Sequence, residues 1–166
     1  MPRLSPPPSR IYLLRHAKSA WALPGQRDFD RPLDDTGFAE AEYIADTASD
    51  RGYRPDLVIS STATRCRQTA EAMRRVFGPE LELQYVDALY NGTLDAYIEI
   101  MDAQTAYRSV MLVGHNPTME ETFEALVGRE VARHRLPEGY PTAGLAVLDD
   151  AGSDPHWALH DMLAPR

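Results

Sequence analysis

Cysteine is almost absent: Cys66 is the only one in a chain of 166 residues. No intrachain disulfide can form and a cysteine-rich metal site is excluded, so a reducing compartment is expected. Long apolar runs are missing too, and none approaches the ~18 residues of a membrane-spanning helix. The opening MPRLSPPPSR carries arginines with no apolar stretch behind them, unlike a secretory leader. Positive charge is in deficit, since 17 Lys and Arg stand against 25 Asp and Glu, for a net charge of −8. That balance argues against nucleic acid or an anionic membrane as the partner. A cytoplasmic protein is expected.

What is present suits one domain. With 43% hydrophobic and 25% charged residues the chain reads as globular. Its length can bury a core without staples and is too short for two ordinary domains. Residues 1–9, rich in Pro and Ser, read as a disordered tail, leaving 10–166 as a single domain for which a monomer is expected.

Beyond the tail, short apolar runs alternate with amphipathic stretches. IYLLRH (11–16), DLVIS (56–60) and SVMLVGH (109–115) have the continuous apolar character of strands buried on both faces. LELQYV (81–86) alternates, as a strand nearer a sheet edge does. Asp34 or Asp35 can cap a helix to about Ser49, and Ser61 or Thr62 can open one through Phe77. A third starts at Thr93, and Pro117 sits where a first helical turn begins. LAVLD (145–149) and HWALHDML (156–163) read as a hairpin around Asp150, Ala151 and Gly152. Strands alternating with helices predict a three-layer α/β/α sandwich on a mostly parallel sheet, made mixed by the hairpin.

Two of the apolar strands end in histidine, at His16 and His115, and the third runs out towards Arg65. Ligands of open α/β sheets bind beyond the carboxyl ends of the strands. Arg15, His16, Arg65 and His115 are therefore expected on one rim, as an anion site in which planar guanidinium forks suit phosphate. Each residue alone has an ordinary reading: a solvated loop histidine, or a surface arginine. Arg65 is even misplaced, because a cation in a first helical turn opposes the helix dipole, a cost that an anion beside it would offset. A zinc site between the histidines would need a third ligand, and the neighbours offered are arginines, which repel a cation. Cys66 reads as a small buried hydrophobe. No metal and no cofactor are expected.

The segments LLRHAKSAW, RPLDDTG, SSTATRCRQTAEAM and LVGHNP resemble, in order and spacing, the histidine phosphatase superfamily of phosphoglycerate-mutase-like fold. The form RHAKS resembles its short SixA-type phosphohistidine phosphatases. The resemblance covers roughly residues 10–150. It implies that His16 is the nucleophile and that Arg15, Arg65 and His115 complete the phosphate pocket. Ser19 matches a small polar residue that can line the pocket or cap its loop. Arg31 can help orient substrate or serve the structure of its Arg-Pro-Leu turn, the latter being the preferred reading, and Asn116 and Pro117 read as shaping the loop after His115. His134, His156 and His160 lie outside any motif. Many larger relatives carry a carboxylic acid after the third strand; here Asp87 is the candidate, with a capping role as its other reading.

A metal-independent phosphatase follows, in which neutral His16 attacks phosphorus in line and water hydrolyses the phosphohistidine intermediate. A weak acid suits a phosphoramidate, whose imidazole leaves with little help, better than an alcohol ester. Without the insertions that form lids in mutases and phytases, the pocket suits a phosphorylated side chain on a protein. The other readings are a small-molecule phosphomonoesterase of the same fold and a non-catalytic phosphate-binding module. Because the attacking nitrogen must be unprotonated, the rate should fall as pH drops through the low sixes, as a pH–rate profile would register.

Overall fold

The structure is a computed structural model that describes residues 3–152 and 157–165. Strand β1 (Arg10–Arg15) leads through α1 (Asp35–Asp50) to β2 (Leu57–Ser61), and α2 (Thr64–Phe77) leads on to β3 (Glu82–Val86). Helix α3 (Leu94–Asp102) returns to β4 (Ser109–Gly114), followed by α4 (Thr118–Val127), α5 (Arg129–Arg135), β5 (Leu145–Asp150) and β6 (Trp157–Leu163). The strands form one sheet in the order β3-β2-β4-β1-β5-β6. β1 to β4 are parallel, and β5 runs antiparallel to both β1 and β6. The mixed α/β sandwich expected from the alternating runs is the fold observed.

Period-two alternation decides the layers. In β1, Tyr12 and Leu14 pack with Ala41, Ile44 and Ala45 of α1 and Ala70 and Met73 of α2. Ile11 and Leu13 face the other way, towards Tyr97 and Ile98 of α3 and Met119 and Phe123 of α4. The chain steps outward from β2 to β3 through α2 and back to β4 through α3. Because such crossovers are right-handed, reversing direction puts the two helices on opposite faces. β4 is thereby inserted between β2 and β1, and the carboxyl ends of those three strands lie side by side.

Several boundaries differ from the sequence expectation. β2 continues through Ser61, so α2 opens only at Thr64. Helix α5 was not anticipated, because REVARHR lacks an apolar stripe; it ends on Arg133, His134 and Arg135, cations that suit a helix carboxyl end. Residues 3–9 are not loose: Leu4 is buried, its carbonyl accepts from Trp157 Nε1 at 3.1 Å, and Ser5 N–H donates to Asp102 Oδ1 at 2.9 Å. An apolar side chain and an indole donor that needs an acceptor account for the attachment. His156 lies outside the described residues.

The start of α1 is docked on the loop that follows the first histidine. Asp34 caps the helix by accepting from Gly37 N–H at 2.7 Å, while its own N–H donates to the Lys18 carbonyl at 3.1 Å. A Cβ at Gly37 would overlap that same Lys18 oxygen. The glycine of RPLDDTG is thus required by close backbone approach. Gly37→Ala is expected to destabilise the protein by about 1–3 kcal/mol, the usual range for forced overpacking, as a lowered urea midpoint.

Candidate active site

Arg15 ends β1 and His16 follows it, with His16 N–H donating to the carbonyl of Gly114 at the end of β4 at 3.0 Å. His115 comes next after that glycine, and the two imidazoles stand 5.4 Å apart between centroids. Arg65 reaches the same place from the first turn of α2. The structure brings together the four residues singled out from the strand ends: His16 is 8% exposed, and Arg65 and His115 7% each.

The state of His16 follows from its neighbour. Its Nδ1 lies 2.7 Å from the carbonyl oxygen of Ala17, which can only accept. Nδ1 therefore carries the hydrogen, and Nε2 keeps a lone pair. Burial lowers the pKa of His16 to about 4, with the charges of Arg65, Arg15 and Arg31 acting in the same direction against the partly opposing Ala17 carbonyl. His115 is lowered to about 3, again by burial first, then by His16 and Arg65. Its Nε2 is 2.8 Å from Ser61 Oγ and 3.4 Å from Cys66 Sγ. Cys66 is fully buried, and its thiol is pushed up to about 12 by desolvation, so it is inert packing beside the ring.

The peptide N–H of His115 donates to Tyr97 Oη at 3.0 Å, and Tyr97 donates to the Leu89 carbonyl. A Cβ at Gly114 would come within 2.6 Å of that phenol oxygen, so the glycine of LVGHNP makes room for the tyrosine that holds the histidine backbone. After His115, Asn116 Oδ1 accepts from Glu120 N–H at 3.1 Å and Pro117 precedes α4, as shaping residues do.

The arginines are held from their outer sides. Arg15 Nη1 donates to the Tyr140 carbonyl at 2.7 Å, and Tyr140 N–H donates to Glu120 Oε1 at 2.6 Å. Burial lowers the pKa of Arg15 while the charges of Glu120 and Glu40 oppose the shift. Its Nε is buried with no hydrogen-bond partner. Arg65 donates from Nη1 to the Asp28 carbonyl at 2.9 Å and from Nη2 to Asp28 Oδ2 at 3.0 Å. The anion that a cation in this first turn calls for is thus supplied by Asp28, in a short 3-10 turn (Asp28–Asp30) between β1 and α1. The same carboxylate accepts from Tyr90 Oη at 2.7 Å and Arg31 Nη1 at 2.8 Å, which hold its pKa far below the usual range.

The remaining candidates fall elsewhere. Ser19 Oγ accepts from Arg31 Nη2 at 3.0 Å, and Ser19 bridges Leu33, so both belong to the loop that carries Asp28. Asp87 is exposed at the start of the turn Asp87–Leu89, where its carbonyl accepts from Tyr90 N–H. The carboxylate joined to Arg65 is Asp28, which sequence reading passed over although it stands three residues before RPLDDTG. Tyr90, inside the stretch searched for a carboxylate, was passed over too, as were Ser61, Tyr97, Tyr140 and Glu120. Their contacts are made across elements, so no local spacing marks them. His160 sits on β6 beside Asp149 at 3.5 Å. Among the described residues, no three His, Cys, Asp or Glu side chains converge as a metal-binding group, and no helix is long and apolar enough to cross a membrane.

A strand-end cluster of two neutral imidazoles and two arginines has the chemistry that suits a phosphoryl group. Residues 11–95 match the family model of the histidine phosphatase superfamily, branch 1. The chain belongs to that superfamily. It is 35% identical to an uncharacterized protein of Mycobacterium tuberculosis over 87% of this chain and 90% of that one. An uncharacterized chloroplastic protein of Arabidopsis thaliana is 36% identical over 74% of this chain, and the match spans 61% of the plant protein. Among solved structures, a protein of Agrobacterium tumefaciens assigned as a phosphohistidine phosphatase SixA is 57% identical, with a TM-score of 0.89 over 95% of this chain and 99% of that one. The protein histidine phosphatase SixA bound to tungstate shares the fold, with 20% identity and a TM-score of 0.75 over 94% and 97% of the two chains.

The low proton affinities move the expected acid limb. A nucleophilic role for His16 requires its neutral form, which burial preserves down to about pH 4, so the expected fall in kcat/KM lies near pH 4 rather than in the low sixes. Folding stability should drop in the same direction. The unfolded histidines take up protons below about pH 6.5 that the folded ones refuse until about 4 and 3, so the urea midpoint should decline as pH falls through that window. His115→Asn is expected to flatten the decline.

Proposed function

We propose that this protein is a cytoplasmic, metal-independent phosphatase that hydrolyses phosphohistidine on proteins through a phosphorylated His16. The observation that carries the reading is the Ala17 carbonyl on His16 Nδ1, which leaves Nε2 as a fixed, unprotonated nucleophile in a pocket of arginines. In the first step the His16 Nε2 lone pair forms a bond to phosphorus as the bond from phosphorus to the substrate nitrogen breaks, and the departing imidazole takes its proton from solvent. In the second, water attacks phosphorus, the bond to Nε2 breaks, and the water proton is released with inorganic phosphate.

Arg15 and Arg65 would stabilise the charge on the equatorial oxygens, the part a metal plays elsewhere, and the unpartnered Nε–H of Arg15 is a donor suited to one of them. Three guanidinium charges act on His16, which disfavours a cation as the electrophilic partner. Asp28 has both oxygens engaged by Arg31, Arg65 and Tyr90 and stays ionised, so it is a poor proton donor. A site with no strong acid suits a nitrogen leaving group better than an alkoxide. Among the described residues the motifs follow one another without an added lid domain, which fits a side chain presented by a protein. A single subunit meets all these requirements.

A turnover screen with EDTA present tests the reading. A phosphohistidine peptide should be hydrolysed faster than a phosphoserine peptide or a sugar phosphate, and EDTA should change nothing. His16→Ala should lose activity by roughly 10³-fold or more, as removal of a nucleophile does. A divalent-metal requirement would overturn the mechanism, and faster turnover of sugar phosphates would favour the small-molecule phosphomonoesterase.

A further inference from the structure

Tyr90 is a partly exposed aromatic beside Arg65 and His115, which are buried. Its ring lies 5.5 Å from that of His115, with the planes at 72°, and the Arg65 guanidinium carbon is 5.9 Å from its centroid. The ring is held on two sides: Oη donates to Asp28 Oδ2 at 2.7 Å, and Phe29 packs against it edge to face at 5.0 Å and 87°. One end of the tyrosine is thus tied to the carboxylate that holds Arg65, while its ring stays partly exposed beside His115 and Arg65.

In-line displacement puts the leaving atom on the far side of phosphorus from His16 Nε2, and so away from the buried histidine and towards the more exposed residues of the site. A flat ring leaving in that direction meets an aromatic wall whose orientation is already set. Aromatic pairs favour tilted or offset arrangements at about 4.5–7 Å between centroids, the range Tyr90 already keeps with the imidazole of His115. An alkyl or acyl leaving group gains no such pairing. The hydroxyl is engaged by Asp28, which leaves the ring as the contact surface.

We propose that Tyr90 is a specificity-determining residue, its ring being the wall on which the leaving imidazole of a phosphohistidine packs. This rests on the phosphohistidine phosphatase reading above.

The test compares kcat/KM for a phosphohistidine peptide with that for acetyl phosphate, an activated phosphate without a ring, in the full chain and in Tyr90→Leu, Tyr90→Gln and Tyr90→Phe. Two ring-removing variants of different polarity guard against one that fails to fold, and circular dichroism checks each. The phosphohistidine-to-acetyl-phosphate ratio should fall about fivefold in Tyr90→Leu and Tyr90→Gln, the size of one aromatic pair, and be kept in Tyr90→Phe. An unchanged ratio in the ring-less variants, however far both rates drop, overturns the proposal and leaves Tyr90 as a support for Arg65 and His115. An equal fall in Tyr90→Phe overturns it as well, because the hydroxyl would then be the determinant. Wild-type protein that hydrolyses acetyl phosphate but not the phosphohistidine peptide would instead bring down the substrate reading, and this inference with it.

Discussion

Four groups able to carry positive charge are crowded at the carboxyl ends of three adjacent strands, and their mutual repulsion is the constraint to which the rest of the site answers. The two histidines meet it by staying neutral, since burial and the neighbouring arginines both disfavour a proton. The arginines cannot lose theirs and are balanced from outside the pocket, Arg65 by Asp28 and Arg15 by the fields of Glu120 and Glu40. A pocket of this kind is predisposed to an anion with several oxygens. It also keeps His16 unprotonated, the state that the proposed attack on phosphorus requires.

The fold makes that crowding unavoidable. β4 is inserted between β1 and β2, each buried on both faces, so the residues that leave these strands have a single rim to share. Supporting contacts then arrive from segments distant in the chain: Tyr97 from α3 under the His115 peptide, Tyr140 behind Arg15, and the Asp28 loop over Arg65. Two glycines mark where backbone or ring must come close, Gly37 at the Lys18 carbonyl and Gly114 at the Tyr97 phenol. Both fall inside segments that carry the family resemblance, which gives those motifs a packing reason beside the chemical one.

The alternation of apolar runs with amphipathic stretches was enough to read the class of fold, because burial on both faces leaves a continuous hydrophobic signature in β1, β2 and β4. Helix α5 escaped it, since a seven-residue segment with one buried alanine has no stripe to detect. The attachment of residues 3–9 escaped as well, because a single Leu4 amid prolines carries no periodicity and its partner Trp157 is at the other end of the chain. In the site, Arg15, His16, Arg65 and His115 were legible since each directly follows a strand or opens a helix.

Strand ends and motif order are local properties that survive any arrangement of the rest, and for that reason His16 stood out in the sequence as the candidate nucleophile, with Arg15, Arg65 and His115 as its cationic companions. Which carboxylate, which tyrosine and which carbonyl surround them is set by packing between distant segments. Asp28 rather than Asp87 reaches Arg65, and Tyr90 stands beside His115, through contacts between segments whose separation along the chain encodes nothing of their distance in space. The proton affinity of His16 belongs to the same category. Its identity was written in LLRHAKS, but its shift to about 4 comes from the depth at which the packed sheet and helices bury it.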